Sequence, residues 1–148
     1  MLDKEYWRIL PHPLGPSDDD VEIFKNNMLS GGPNLLLGCT QKLINLSDYQ
    51  MDINPWYDGT NMIVQDWLTN EKDYLNIMLD GGLCFDKDLC DGILEMVSKH
   101  SKLFVARSFN YKLPTMRIAS YFPKEEDFKI KPTKCIIFDD YTFYIWKF

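Results

Sequence analysis

The chain has 148 residues, 45% of them hydrophobic and 14% aromatic. That length fits one domain able to bury roughly two-thirds of its unfolded surface, and that composition suits a packed globule rather than a disordered tail. A formal net charge of −6 and a pI near 4.8 argue against a nucleic-acid partner, because gripping a phosphate backbone takes a basic face.

Lys99 with Lys102, and Lys129, Lys131 and Lys134, read as solvated surface. Cys39, Cys84, Cys90 and Cys135 form no CxxC pair, and His12 and His100 complete no zinc-ligand spacing. No metal is expected on that ground, and reduced thiols in a cytoplasm are the plain reading. Met1–Arg8 mixes charge with aromatics, unlike a signal peptide. No apolar run approaches the roughly 18 residues that a membrane span needs.

In chain order, Trp7–Ser17 holds Pro11, Pro13, Gly15 and Pro16 and is expected to be irregular. Ser17 reads as a helix N-cap, with Asp18, Asp19 and Asp20 at the positive end of the helix dipole. Val21, Phe24 and Met28 recur at helical spacing, which predicts a helix over Asp18–Leu29. Gly31, Gly32 and Pro33 end it. Asn34–Leu37 is a short apolar run of the kind buried on both faces of a parallel sheet. Further strands are predicted at Tyr49–Ile53, Asn61–Val64, Tyr74–Leu79 and Leu103–Arg107. A helix over Asp86–Lys99 is marked by Leu89, Ile93, Met96 and Val97.

Arg117–Tyr121 reads as one helical turn and Pro123–Asp127 as a capped helix start. Lys134–Phe138 and Thr142–Trp146 alternate like a hairpin around Asp139-Asp140. The whole is an α/β domain, 1–148: a mostly parallel sheet with helices on both faces and an antiparallel pair closing one edge.

In such a sheet, ligands bind beyond the carboxyl ends of the strands, where the strand order reverses. Four strand ends carry residues suited to that crevice: Gly38-Cys39-Thr40, Asp52, Gln65-Asp66-Trp67 and Asp80-Gly81-Gly82. Gly38 lets a ligand approach the backbone, and a helix near Thr40–Leu46 would aim free amides at an anion. An acid at the end of the second strand can accept both ribose hydroxyls of an adenosine. A carboxylate at 66 can take an adenine amino group.

These motifs, Asn-Leu-Leu-Leu-Gly-Cys-Thr (34–40), Met-Asp-Ile-Asn (51–54), Gln-Asp-Trp-Leu (65–68), Ile-Met-Leu-Asp-Gly-Gly (77–82) and Leu-Phe-Val-Ala-Arg (103–107), resemble in order and spacing those of class I S-adenosylmethionine-dependent methyltransferases. The stretch Pro16–Phe24, preceded by Tyr6-Trp7, is similar to the N-terminal segment of one subgroup. The resemblance implies a Rossmann-like, three-layer α/β/α fold, with 1–33 as a lid segment and helix, 34–107 as the cofactor-binding core and 108–148 as a short connection and hairpin. It implies that Gly38, Cys39 and Thr40 line the methionine end and ribose of S-adenosylmethionine, and that Asp52 takes the ribose hydroxyls. Ile53 would pack on adenine, Asp66 and Trp67 would meet its edge, and Asp80 and Gly81 would flank the sulfonium.

The chain departs from that pattern in its single turn glycine, in the short span before Asp52, and in a 108–133 segment too short for the acceptor-binding insertions of many members. The expected activity is methyl transfer to a small molecule, with the catalytic residues unassigned. Two rivals are a non-catalytic cofactor-binding module that works with a partner subunit, and a lyase or hydrolase that breaks the cofactor down.

Several residues carry two readings. His12, between Pro11 and Pro13, is either a residue of an exposed loop or a base near the acceptor. Trp56 stacks on adenine or anchors a loop. Arg107 binds a substrate carboxylate or pairs with Asp80. Cys84 and Cys90 read as small buried apolar residues. The aromatic tail (Phe138, Tyr141, Phe143, Tyr144, Trp146, Phe148) forms core and edge cover, or a homodimer interface.

Overall fold

In the computed structural model, which describes residues 4–55, 61–114, 116 and 119–148, Ser17 caps the first long helix as the sequence expects. Its hydroxyl accepts the Asp20 N–H at 3.3 Å. The elements are α1 (Lys4–Ile9), α2 (Asp18–Asn27), β1 (Asn34–Leu37), β2 (Tyr49–Met51), β3 (Met62–Ile63), β4 (Tyr74–Asp80), α3 (Lys87–His100), β5 (Ser101–Phe109), β6 (Lys134–Ile137) and β7 (Tyr141–Lys147). All seven strands share one sheet, in the order β3-β2-β1-β4-β5-β7-β6. Strands β1 to β5 are mutually parallel, and β7 runs antiparallel to both of its neighbours.

Side chains alternate across a strand, so the continuous apolar runs feed two cores. Leu35, Leu37, Ile77, Leu79, Phe104, Ala106, Tyr144 and Trp146 pack with Ile93, Leu94, Met96 and Val97 of α3. Leu36, Met78, Leu103, Val105, Phe143 and Ile145 pack on the opposite face with Phe24 of α2 and with Leu43. Leu35, Leu36 and Leu37 are fully buried, each contributing about 1.5–3 kcal/mol of apolar burial. Phe24 meets Phe143 edge-on at 5.1 Å.

Asn76 of β4, also fully buried, joins the end of α2 to the sheet. It accepts the Leu29 N–H (2.9 Å) and donates to the Leu29 carbonyl (2.8 Å) and to Asn34 Oδ1 (2.7 Å). Its position satisfies polar groups that no strand ladder reaches.

The connections are spare. Among the described residues, the β1–β2 link holds one 3-10 stretch, Gln41–Leu46, and the β3–β4 link holds Trp67–Thr69. Among the described residues, only the β4–β5 crossover carries a full helix, α3, capped by Asp86 Oδ1 accepting the Leu89 N–H at 2.7 Å.

The structure corrects three local expectations. The start of the proline-rich N-terminal segment is helical through Ile9 and turns irregular only towards Pro11. Strands two and three are shorter than predicted, because β3 at the sheet edge pairs over two residues only. The expected helix start at Pro123 is a single 3-10 turn, Glu125–Asp127, and residues 119–121 are not helical; Arg117 and Ile118 of that expected turn lie outside the described residues. The core reading of the aromatic tail is borne out for Phe143, Tyr144 and Trp146, which are buried. β7 lies between β5 and β6 and is covered on both faces, which leaves Phe138 and Phe148 as the tail's large exposed aromatics.

Candidate functional site

The strand order reverses between β1 and β4, and there the carboxyl ends of β1, β2, β3 and β4 surround a cleft. Its space, open mouth included, is about 710 Å³. Gly38, Cys39, Thr40, Asp52, Ile53, Asp66, Trp67 and Asp80 all line it. Gly81 does not. It turns the chain at φ +80° and donates its N–H to the Arg107 carbonyl at 2.9 Å, while Gly82 lines the cleft beside it.

Gly38 sits where the backbone requires glycine. Its φ is +79°, and a Cβ added there would lie 2.9 Å from Cζ2 of Trp67. Its N–H donates to the Met51 carbonyl at 2.7 Å, which ties the turn after β1 to the end of β2. The next amide, Cys39 N–H, donates to Asp52 Oδ2 at 2.6 Å, and Asn54 N–H donates to Asp52 Oδ1 at 2.8 Å. Each carboxylate oxygen of Asp52 therefore holds one backbone donor and keeps acceptor capacity for a second. With its side chain 13% exposed, Asp52 is an oriented hydrogen-bond acceptor at the cleft wall.

Asp66 accepts the Leu68 N–H at 3.2 Å and pairs with Lys4 of α1. The Lys4 hydrogen bond holds its carboxyl below the usual range. Asp80 lies deeper, its side chain 8% exposed, gripped by Arg107 through Nε (2.6 Å) and Nη2 (3.1 Å). Burial pushes the Asp80 carboxyl up, with Arg107 opposing. Arg107 also reaches Asp20 of α2 at 3.5 Å, and Tyr141 donates to that same oxygen at 2.6 Å. Of the two readings of Arg107, the structure bears out the pairing with Asp80. Two buried carboxylates share one guanidinium here, and of the three residues Asp80 lines the cleft.

The N-terminal segment covers the cleft. Trp7 and Lys4 of α1 line it, with Trp7 against Phe85 at 5.3 Å between ring centres. The buried indole N–H of Trp7 has no hydrogen-bond partner among the described residues, a donor that a ligand acceptor would satisfy. His12 is buried, 3% exposed, which overturns the exposed-loop reading. Its Nε2 donates to the Asn54 carbonyl at 3.1 Å and stands 3.8 Å from Asp52 Oδ2.

Cys39 offers no nucleophile in this state, because burial, assisted by the charge of Asp52, pushes its thiol up to about 12. One imidazole nitrogen of His12, Cys39 Sγ and one Asp52 oxygen lie within 4.8 Å of one another, a grouping invisible in the sequence spacing. Trp56, the other predicted adenine neighbour, lies outside the described residues.

Sequence reasoning missed Lys4 and Phe85 as cleft residues; Gln65, named with the third strand end, lines the cleft as expected. Phe85 alone had a local signal, as the apolar residue just before the Asp86 cap.

The chain has the class I methyltransferase fold. It superposes on magnesium protoporphyrin IX methyltransferase from Synechocystis PCC 6803 with bound S-adenosylhomocysteine at a TM-score of 0.63 and 12% identity, covering 86% of this chain and 80% of that one. With bound S-adenosylmethionine, that same enzyme gives a TM-score of 0.58, also at 12% identity, covering 86% and 74%. The glycopeptide N-methyltransferase MtfA complexed with S-adenosylhomocysteine gives 0.52 at 10% identity, covering 93% and 76%. No family model and no curated protein matches the sequence. No helix among the described residues is long and apolar enough to cross a membrane.

Proposed function

We propose that this chain binds S-adenosylmethionine in the cleft at the ends of β1 to β4 and transfers its methyl group to a small-molecule acceptor. The observation that carries the reading is Asp52: a mostly buried carboxylate at the end of β2, oriented by two backbone amides and left with acceptor capacity on each oxygen. That is the arrangement needed to hold the two hydroxyls of a ribose. The neighbours of similar fold, which are methyltransferases crystallised with this cofactor or its product, support the choice of nucleoside.

S-adenosylmethionine supplies, when bound, an electrophilic methyl group on a sulfonium centre. In this reading, Gly38 admits the ligand to the backbone of the β1 turn, and Cys39 and Thr40 line the ribose and methionine end. Asp52 fixes the ribose, while Ile53 packs on the adenine. Asp66 accepts from the adenine amino group, exchanging Lys4 for it, with Trp67 at the ring edge. Asp80 supplies negative charge near the cationic end of the ligand, with Gly81 holding the turn beside it. The protein's task is alignment and exclusion of water rather than proton transfer, and Trp7 with Phe85 provides an apolar cover.

Incubation with S-adenosylmethionine and candidate acceptors tests this. S-adenosylhomocysteine formed only in the presence of an acceptor is the expected product. Methylthioadenosine formed without one identifies breakdown instead, and intact, bound cofactor identifies a binding module. An Asp52→Ala variant is expected to bind at least about a hundredfold more weakly, from two lost charge-assisted hydrogen bonds of about 1.5–3 kcal/mol each. Unchanged affinity in a folded variant removes the ribose assignment.

A further inference from the structure

We infer that His12, Cys39 and Asp52 form a site for one thiophilic divalent cation of the zinc type, and that this cation and the nucleoside compete for Asp52. The donor set is one nitrogen, one sulfur and one oxygen, a combination that zinc accepts with bond lengths near 2.0–2.3 Å. Tetrahedral ligation at those lengths sets donor atoms about 3.4–3.7 Å apart. His12 Nε2 and Asp52 Oδ2 are already 3.8 Å apart, and no pair of donor atoms in the group exceeds 4.8 Å. Closing on a cation therefore takes side-chain shifts of about 1 Å, and His12 ligates through Nε2 only once that nitrogen gives up its hydrogen bond to the Asn54 carbonyl and the ring proton moves to Nδ1.

The three segments are also held together independently of any ligand. Cys39 N–H donates to Asp52, and the His12 carbonyl accepts from Gln41 Nε2 at 2.9 Å. Pro13 and Leu14 carbonyls accept the Gln41 and Lys42 amides, both at 2.9 Å. This lacing anchors the N-terminal segment to the turn that carries Cys39. The two amides on Asp52 act as the hydrogen bonds that orient a ligating carboxylate.

Cys39 and Asp52 both line the cleft, so a cation held by them would sit at its wall. Ligation forms a metal–sulfur bond and releases the thiol proton to solvent. It also draws on the same Asp52 oxygens that a ribose would use. The metal site stands apart from the cofactor reading; the competition rests on it.

The test titrates Co2+ and then Zn2+ onto the reduced full chain. One equivalent of Co2+ is expected to give a sulfur-to-cobalt charge-transfer absorption that Zn2+ displaces. Cys39→Ser, nearly isosteric, is expected to abolish that band and to weaken Zn2+ binding at least about tenfold, as is His12→Gln. Saturating Zn2+ is expected to weaken adenosine binding at least about tenfold in the wild-type chain and to leave it unaffected in Cys39→Ser.

Absence of the band, or a band and affinity untouched by Cys39→Ser, overturns the site, since Cys84, Cys90 and Cys135 remain in that variant. Should His12→Gln fail to fold, the cobalt spectrum of Cys39→Ser still decides. Zinc binding with no adenosine binding keeps the metal site and removes the cofactor reading. Adenosine binding with no zinc binding does the reverse.

Discussion

Replacing Arg107 by methionine removes the one cation between two buried carboxylates. In the native chain, Arg107 meets Asp80 through two nitrogens and Asp20 through a third, with side-chain exposures of 12%, 8% and 6% for the three residues. Methionine fills most of the volume and can still lie against Phe109 and Tyr141, which the guanidinium now covers at 5.3 and 4.8 Å. The loss is therefore mainly one of charge. Breaking a buried pair by deleting one partner costs about 3–5 kcal/mol, because the remaining charge has lost its compensation.

The sign of the pH dependence follows from Asp80, whose carboxyl burial already pushes above its ordinary value. A carboxyl that binds its proton more tightly in the folded than in the unfolded chain favours the folded state at low pH. That advantage is lost as pH rises through the folded-state value. Without Arg107, the Asp80 carboxyl moves further up. Destabilisation should then be greatest at neutral pH and shrink on acidification through the mildly acidic range, as Asp80 takes up a proton and becomes a neutral donor. Urea unfolding of both chains at several pH values in that range measures the difference directly. A penalty below about 1 kcal/mol, or one of constant size across the range, would refute the shared-guanidinium account.

Gly38→Ala forces a side chain into φ +79° and to within 2.9 Å of Trp67. It should cost about 1–3 kcal/mol of stability and abolish detectable adenosine binding, read by thermal melting and calorimetry. Asn76→Ala strands the Leu29 amide and carbonyl at the end of α2 and should destabilise by about 2–3 kcal/mol in denaturant unfolding. A change below about 0.5 kcal/mol would mean that solvent satisfies those groups. Lys4→Met removes an exposed ion pair and should move stability by less than about 0.5 kcal/mol, yet tighten adenosine binding by releasing Asp66. Weaker binding would show Lys4 to be a ligand group itself.

Much of the fold is legible in the sequence, because its signals are local. The Ser17 and Asp86 caps, the apolar runs of β1 and β4 and the stripe of α3 each follow from a few adjacent side chains whose backbone preferences and burial agree. The four strand ends that line the cleft could be read in order because a parallel sheet brings every carboxyl end to one side.

What only the tertiary structure decides are pairings between distant segments. His12 looks exposed between two prolines, but it is buried because Asn54, 42 positions along the chain, offers it a carbonyl. Arg107 has two plausible partners in sequence, and the β4–β5 register that sets it opposite Asp80 selects one. The alternating tail reads as an edge hairpin. The order β5-β7-β6 keeps that hairpin at the edge and sets its aromatic strand inside β6, where Phe143 and Trp146 serve opposite cores. Strand order and side-chain meetings across the sheet depend on which surfaces bury best together, a property of the whole chain that no short window of residues contains.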